Sequence, residues 1–377
     1  MKQFIYADNA ATTRLDIDVF EAMKPFLLEE YANPSQQYSF AGKTRRAIRE
    51  ARARIARCIN ADPEEIYFTS GGTESNNWAI KGTAQSVKGR HTVITSQTEH
   101  RSVLSACKNE EKPDSPVIYL PVTKEGIVTP DTLRSFINSD TRLVSVMLGN
   151  NEIGSIEPVR ELCEEAHRHG ALFHTDAVGA LGHIPVDVKE LGVDMLSASA
   201  HKFGGPKGTG FLYIKKGTPV TAYVSGGAQE SGMRGGTENT AAIVGMSVAL
   251  QKSCNAISEN TEHLKKLEKL ILDTLSASGA DFIRNGGDPR LPGHLSLSFR
   301  NADGEALLHR LDLMGIAVST GAACDSKKTQ TSHVLRAIGL TEEYAKGTIR
   351  ITLSAENTPE EAQIISENLI SIINGRL

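Results

Sequence analysis

Short apolar runs alternate with amphipathic helical patterns along the first 255 residues, and this alternation constrains the fold more than any other feature. Apolar side chains recur at helical spacing from Thr44 to Ile59, and the short runs that follow are typical of buried strands. The predicted strands are Ile66–Thr69, Thr92–Ile94, Val117–Leu120, Leu143–Met147, Leu172–Thr175, Met195–Ser197 and Gly210–Ile214. Strands separated by helices form right-handed βαβ crossovers, so the sequence predicts an α/β fold with a mostly parallel sheet.

The pattern changes near residue 255. A long helix around Leu264–Leu275 precedes an alternating strand, Leu295–Phe299, and a second alternating strand, Ile349–Leu353, precedes a closing helix from Pro359. Arg350 is predicted to lie on the face opposite the aliphatic side chains of its strand. Half-exposed strands with helices on one side indicate a second, smaller α+β domain.

Charge and cysteine usage exclude several classes of protein. The 41 basic and 45 acidic side chains give a net charge of −4, which does not favour nucleic acid or an anionic membrane as a partner. No apolar run approaches the ~20 residues that span a bilayer, and the N-terminus has no signal-peptide core, so a cytoplasmic protein is expected. Five widely spaced cysteines disfavour a disulfide framework and a zinc site. Cys58, Cys107 and Cys163 are predicted to be buried or neutral thiols, and the pattern does not place Cys254.

Three motifs follow predicted strands. Ser70–Trp78 contains a glycine turn and a helix start, which suits a phosphate cradle, although such turns also occur without a ligand. Asp176 ends a strand, where it either faces a ligand or caps a helix. Lys202 lies between a histidine and a glycine-rich loop, where a lysine can act as a Schiff-base nucleophile. Together a phosphate cradle, a carboxylate and a lysine fit pyridoxal 5′-phosphate.

The chain resembles the cysteine desulfurase family of fold-type I pyridoxal-phosphate enzymes over nearly its whole length. The segments that carry the resemblance are Tyr6–Thr13, Asn33–Ser35, Thr69–Asn77, Glu99–His100, Asn150–Gly154, His201–Lys202, Arg234–Asn239, Gly321–Cys324 and Ser332–Arg336. The resemblance implies a large cofactor-binding domain at residues 14–255. It implies a small domain at residues 1–13 and 256–377, which carries a catalytic cysteine loop.

The resemblance also implies roles for individual residues. Lys202 would bind the cofactor covalently, Asp176 would pair with its pyridine nitrogen, and His100 would stack on its ring and act as acid and base. The phosphate would be held by Gly72, Thr73, Ser199 and His201. Thr237 would reach the phosphate of a neighbouring subunit, which implies a homodimer. The substrate, L-cysteine, would be bound by Asn33, Arg350 and Asn151, the last of which would also contact the cofactor.

Cys324 lies in a small, polar, aperiodic segment typical of a loop. The resemblance implies that its thiol receives sulfur as a persulfide and passes it to an acceptor protein such as an iron–sulfur scaffold. No intrinsic metal is expected, although Cys324 would suit a transient iron–sulfur ligand shared with such a scaffold. The chain departs from the family at Gly179, where a glutamine that hydrogen-bonds the cofactor is usual. Tyr38 replaces a common histidine, and Ala322 replaces a common serine.

Alternative functions remain open on the sequence alone. One is another pyridoxal-phosphate reaction, such as that of a selenocysteine lyase or an aminotransferase, and the latter needs no cysteine at position 324. Another is a degenerate, non-catalytic partner in sulfur transfer, which Gly179 motivates. A Cys–His hydrolase would leave Lys202 and Asp176 without a role.

Overall fold

A computed structural model describes residues 4–320 and 331–375 of the 377-residue chain. Its strands are β1 (Ile5–Tyr6), β2 (Ile66–Thr69), β3 (Thr92–Ser96), β4 (Val117–Leu120), β5 (Thr141–Ser145), β6 (Leu172–Asp176), β7 (Met195–Ser199), β8 (Gly210–Ile214), β9 (Phe282–Arg284), β10 (His294–Phe299), β11 (Ile316–Ala317) and β12 (Thr348–Thr352). Its α-helices are α1 (Ile17–Leu28), α2 (Gly42–Cys58), α3 (Gly72–Ser86), α4 (Arg101–Glu110), α5 (Pro130–Phe136), α6 (Val159–Arg168), α7 (Val188–Leu191), α8 (Thr240–Ala277), α9 (Gly304–Leu313), α10 (His333–Ala337), α11 (Glu342–Ala345) and α12 (Pro359–Ile373).

In the described part of the chain, seven strands form one sheet in the order β2-β8-β7-β6-β5-β3-β4. The neighbours from β7 to β4 are parallel, which confirms the predicted α/β fold with a mostly parallel sheet. Strand β8 runs antiparallel to both β2 and β7. The reason is the short connection from β7 to β8, because a parallel neighbour needs a crossover of a dozen or more residues.

The direction of the strands determines where a ligand can bind. Because β8 is antiparallel to both of its neighbours, β2 points the same way as β7 and the parallel strands beyond it. The carboxyl ends of β2, β3, β5, β6 and β7 therefore meet at one edge of the sheet. Ligands of open α/β sheets bind at this edge.

A second apolar core surrounds a smaller antiparallel sheet of order β12-β10-β9. The N-terminal strand β1 pairs with β11, and Ile5 contributes to this second core. The helix expected around Leu264–Leu275 is the second half of α8, which has 38 residues and begins in the larger core. Its first half buries Ile243 and Met246 in the larger core, and its second half buries Leu267 and Ile271 in the smaller one. Across the described ranges, neither α8 nor another helix combines the length and apolarity needed to cross a membrane.

Candidate active site

A cleft of about 700 Å³ lies at the carboxyl edge of the large sheet. Its walls come from the segments that follow β2, β3, β5, β6 and β7, together with β12 of the smaller sheet and the N-terminal segment. The sequence-predicted residues that line it are Gly72, Thr73, His100, Asn151, Asp176, Gly179, Ser199, His201, Lys202 and Arg350. The cleft thus brings together predicted residues that are up to 278 positions apart, from Gly72 to Arg350.

Asp176 presents a buried carboxylate at the end of β6, with 3% of its surface exposed. One oxygen accepts a hydrogen bond from Asn76 Nδ2 at 2.6 Å, and the other accepts from the backbone N–H of Val178 at 2.9 Å. Asn76 Nδ2 also lies 2.8 Å from Ser102 Oγ. These contacts hold the carboxylate in one orientation at the cleft. Asp176 also stabilises the turn after β6, but it does not cap a helix as the alternative required, because the next helix, α7, is capped by Asp187.

The start of α3 forms a cradle of backbone N–H groups. Gly71 has φ +145°, a conformation that L side chains rarely adopt, and a Cβ added at Gly72 would lie 2.5 Å from Val178 Cγ2. The first-turn amides of a helix lack intrahelical acceptors and attract anions. Ser199, which ends β7, adds a hydroxyl close to Gly71. The segment therefore suits a phosphate group.

His100 caps α4 with its side chain. Its Nδ1 accepts the backbone N–H of Ser102 at 3.2 Å and lies 2.7 Å from Ser102 Oγ. Because Nδ1 is an acceptor, the neutral ring carries its proton on Nε2. Burial lowers the pKa of His100 below its usual value, and the Lys202 ammonium acts in the same direction against the opposing effect of Asp176. The ring is therefore neutral near pH 7.

Lys202 ends a 3₁₀ turn, Ala200–Lys202, that follows β7. Its Nζ donates to the carbonyl oxygens of Ala10 and Ala11 in the N-terminal segment. The neighbouring His201 has Nδ1 3.1 Å from Thr12 Oγ1. Burial, with smaller effects of Lys202 and Lys207, lowers the pKa of His201 to about 4, so its ring is neutral at pH 7. The turn therefore places the neutral His201 ring, which can both donate and accept a hydrogen bond, next to Lys202 in the chain.

Arg350 on β12 is 5% exposed and connects two parts of the cleft wall. Its Nη1 donates to the carbonyl oxygen of Asn151 at 2.9 Å, and its Nη2 donates to Asp8 Oδ1 at 2.8 Å. Its Nε is buried with no hydrogen-bond partner. Each Nη carries a second N–H, and these remaining hydrogens are the donors left for a ligand carboxylate.

Sequence reasoning gave no role to Glu99, a buried carboxyl that adjoins His100 in the chain and does not itself line the cleft. Burial raises the pKa of Glu99 well above its usual range, and nearby Asp176 adds to this shift against the hydrogen bond from Met147. Oε1 accepts the Met147 N–H at 2.7 Å, and the Glu99 carbonyl oxygen lies 3.0 Å from His333 Nε2. Glu99 thus joins the end of β3 to the start of α10. The signal was its place in the Glu99–His100 motif, directly after a buried strand.

Two predicted site residues in the described part of the chain, Asn33 and Thr237, do not line the cleft. Asn33 uses Oδ1 to accept the Ser35 N–H at 2.9 Å. Thr237 lies at a second cavity of about 200 Å³, which shares Ser70 and Gly208 with the main cleft. Cys324 lies outside the described residues, as does Ala322.

The residues of the cleft fit pyridoxal 5′-phosphate. The buried, doubly hydrogen-bonded carboxylate of Asp176 suits a pyridine nitrogen, and the α3 amides with Ser199 suit a phosphate. Lys202 supplies an amine in the same cleft. The fold and the site together define a pyridoxal-phosphate protein of the α/β class.

The chain belongs to the aminotransferase class-V family, whose model matches residues 5–365. It is 48% identical to the cysteine desulfurase IscS of Dictyoglomus turgidum, over 99% of this chain and 95% of that protein. A solved NifS-like protein superposes with a TM-score of 0.93 at 37% identity, covering 99% of this chain and 100% of that one. A structure described as SspA in complex with cysteine has a TM-score of 0.82 at 34% identity, covering 94% and 100%.

Proposed function

We propose that the protein is a cysteine desulfurase. In the overall reaction, L-cysteine and the Cys324 thiol give L-alanine and a persulfide on Cys324. The observation that carries the proposal is Arg350, a buried guanidinium with unused donors in the same cleft as Lys202 and Asp176. Near-full-length identity to a protein named cysteine desulfurase, and similarity to a structure that contains cysteine, support it.

The substrate is proposed to bind through its carboxylate at Arg350. The remaining Nη hydrogens are donors for a carboxylate, while the Asn151 carbonyl oxygen and the Asp8 carboxylate hold the guanidinium in place. Asn151 also lines the cleft with its own atoms. Asn33 is proposed as a further substrate ligand, and because its Oδ1 is engaged with Ser35, its Nδ2 would make the contact.

The cofactor is proposed to be held by Lys202 covalently, by Asp176 at the pyridine nitrogen, and by Gly72, Thr73, Ser199 and His201 at the phosphate. When bound, pyridoxal phosphate supplies an electron sink for the bonds at the substrate Cα. Lys202 Nζ then moves the Cα proton, for which it must leave the carbonyl oxygens of Ala10 and Ala11.

His100 is proposed to move the proton of the substrate thiol. To accept this proton at Nε2, the neutral ring must move its own proton to Nδ1, where Ser102 Oγ, 2.7 Å away, can accept it. General acid–base catalysis of this kind contributes roughly 10²–10⁴-fold to a rate. The Cys324 thiolate would attack the substrate sulfur. The sulfur would therefore be transferred to the enzyme as a persulfide and would not be released as free sulfide.

The assembly is proposed to be a homodimer in which Thr237 serves the neighbouring subunit's phosphate. Thr237 is exposed and lies outside the cleft of its own chain, which supports this role. Large apolar side chains also remain exposed on and after α1, as is common at interfaces. They are Ile17, Phe20, Leu27, Leu28, Tyr31 and Phe40.

We further propose that the chain divides into a large domain, residues 14–255, and a small domain, residues 1–13 with 256–377. The two separate apolar cores support this division.

The sulfur is proposed to pass from Cys324 to an acceptor protein in the cytoplasm, such as an iron–sulfur scaffold. A pull-down of persulfide acceptors from a lysate, with a Cys324→Ala bait as the control, would identify the acceptor. Loss of a captured protein with the Cys324→Ala bait identifies it as dependent on this thiol.

The function is tested by incubating the pyridoxal-phosphate-loaded protein with L-cysteine and measuring alanine and protein persulfide. Wild type should form both. Cys324→Ala should still bind cysteine, seen as a change in the visible spectrum, but form neither product. Cys163→Ala, which removes a buried thiol, is the matched control and should behave as wild type. Wild-type turnover by Cys324→Ala would disprove the mechanism and favour a lyase that needs no enzyme thiol.

A further inference from the structure

A carboxylate lies beside the cradle that is proposed to hold the cofactor phosphate. Glu74 is the third residue of α3, and it lines the cleft together with Gly72 and Thr73. Its Oε2 accepts the backbone N–H of Ser70 at 2.8 Å, so Glu74 already uses one amide of the turn before the helix. A negative charge at this position repels a phosphate, which the start of the helix attracts. Without a partner of opposite charge, Glu74 would weaken the cradle.

Arg234 supplies the opposite charge from a distant part of the chain. Its Nε donates to Glu74 Oε1 at 2.9 Å, and its Nη2 donates to Glu74 Oε2 at 3.2 Å. The contact is bidentate, and the side chains of Arg234 and Glu74 are only 25% and 12% exposed. Burial would raise the pKa of Glu74, but the hydrogen bonds from Arg234 and Ser70 lower it below its usual value. The two groups therefore form an ion pair at pH 7.

The same ion pair ties a second segment to the start of α3. Arg234 lies three positions before Thr237, and its backbone pairs with that of Val224. Arg234 and Thr237 both line the second cavity, which shares Ser70 and Gly208 with the main cleft. Loss of the ion pair would thus have two separable effects. It would leave an unpaired carboxylate at the cradle, and it would loosen the segment that carries Thr237.

We propose that Arg234 is a positioning residue for the cofactor phosphate of its own chain, because it neutralises Glu74 beside the cradle. In the described chain Arg234 does not line the cleft, so it acts through Glu74 and not by contact with the phosphate. The inference rests on the proposed pyridoxal-phosphate site. It adds a charge requirement to a site that otherwise consists of amides, hydroxyl groups and a neutral histidine.

The test compares two ligands of the full-length protein after its cofactor has been removed. One is pyridoxal phosphate, and the other is pyridoxal, which has the same ring and aldehyde but no phosphate. Both dissociation constants are measured by titration of the visible absorbance. Arg234→Met is expected to raise the dissociation constant for pyridoxal phosphate about 10-fold, because an unpaired carboxylate then repels the phosphate in a partly buried site. The constant for pyridoxal should stay close to that of wild type.

The two ligands separate the proposed role from a merely structural one. A loss of folded structure would weaken the binding of both ligands, so equal increases in the two dissociation constants would overturn the proposal. An unchanged constant for pyridoxal phosphate in Arg234→Met would overturn it as well, while the proposed function would stand. If wild type itself failed to bind pyridoxal phosphate, the proposed function would be wrong and the inference would fall with it.

A double variant separates the charge from the tether. Glu74→Gln/Arg234→Met lacks the ion pair but has no unpaired carboxylate, so it should bind pyridoxal phosphate more tightly than Arg234→Met does. Arg234→Lys keeps the charge and should remain close to wild type. Arg300→Met removes a positive charge from an exposed ion pair with Glu343, and it is the control for net charge. If the double variant binds as weakly as Arg234→Met, the looser segment is the cause and the proposal is wrong.

Discussion

Arg350 Nη2 donates to Asp8 Oδ1 at 2.8 Å, which joins a strand of the small sheet to the N-terminal segment at the mouth of the cleft. Both side chains are largely withdrawn from solvent, at 6% and 18% exposed. The same guanidinium reaches the Asn151 carbonyl oxygen in the loop after β5. Asp8 therefore orients the Arg350 guanidinium and leaves its other Nη hydrogens for a ligand carboxylate.

Arg350→Lys is expected to raise KM for L-cysteine about 10- to 100-fold. Lysine keeps the charge but loses the planar fork, and charge-assisted hydrogen bonds each contribute roughly 1.5–3 kcal/mol. The measurement is alanine formation over a range of cysteine concentrations. Arg300→Lys, at an exposed ion pair with Glu343, should leave KM unchanged. Equal KM values for Arg350→Lys and wild type would show that Arg350 does not bind the substrate carboxylate.

Gly179→Gln is expected to change the visible absorption of the bound cofactor and its pH dependence. The amide offers a hydrogen bond to the cofactor's phenolic oxygen, which favours the deprotonated form of that oxygen. A Cβ at this position would lie 3.0 Å from the Gly149 carbonyl oxygen, so the loop must also shift slightly. Gly179→Ala is the control, because it adds the Cβ without the amide. Identical titrations for the Gln and Ala variants would show that the amide has no effect.

The acidic limit of kcat/KM is expected to lie below pH 6.5 and to follow His100. Burial lowers the pKa of His100, so the ring stays neutral as pH falls past the usual value and is protonated only at lower pH. His100→Gln should abolish this limb and lower kcat by roughly 10²–10⁴-fold. His91→Gln, at an exposed contact with Asp140, is the control. An unchanged acidic limb in His100→Gln would assign it to another group.

His174 is expected to destabilise the fold as pH falls from 7 to 5. It is fully buried between Ser145 Oγ at 2.8 Å and Ser197 Oγ at 2.9 Å, and burial lowers its pKa to about 3. The unfolded chain, with a histidine pKa near 6.5, binds more protons in this range, so stability falls by about 2 kcal/mol.

Urea unfolding of wild type and His174→Gln at pH 7 and pH 5 measures this effect. The variant should lose about 2 kcal/mol less than wild type between the two pH values, whatever its stability at pH 7. His294, whose pKa burial also lowers to about 3, remains in both proteins and does not affect the difference. Equal losses in the two proteins would rule out His174 as the source.

The large sheet and most of the cleft were predictable because buried parallel strands are continuously apolar, and the residues after such strands meet at one edge. Asp176 and Lys202 stand out by this rule. The contacts that orient them were not predictable. Asn76 and Asp176 are 100 positions apart, and Asp8 and Arg350 are 342 apart. Such pairs depend on strand order and on how the small sheet meets the large one, which periodicity does not encode.

Helix α8 fixes how many residues can lie between its contacts near the cleft and its contacts in the small core. Near its middle, Ser253 Oγ donates to the carbonyl oxygen of Phe203, the residue after Lys202, and Lys252 contacts Asp16 and Asp18. Beyond them the same helix enters the small core. One residue inserted between Lys252 and Leu264 would turn everything beyond it by about 100° and advance it by about 1.5 Å. The number of residues in α8 between the two cores therefore helps to set the geometry of the active site. An insertion here would disrupt the site, although an insertion of the same length in a surface loop would be tolerated.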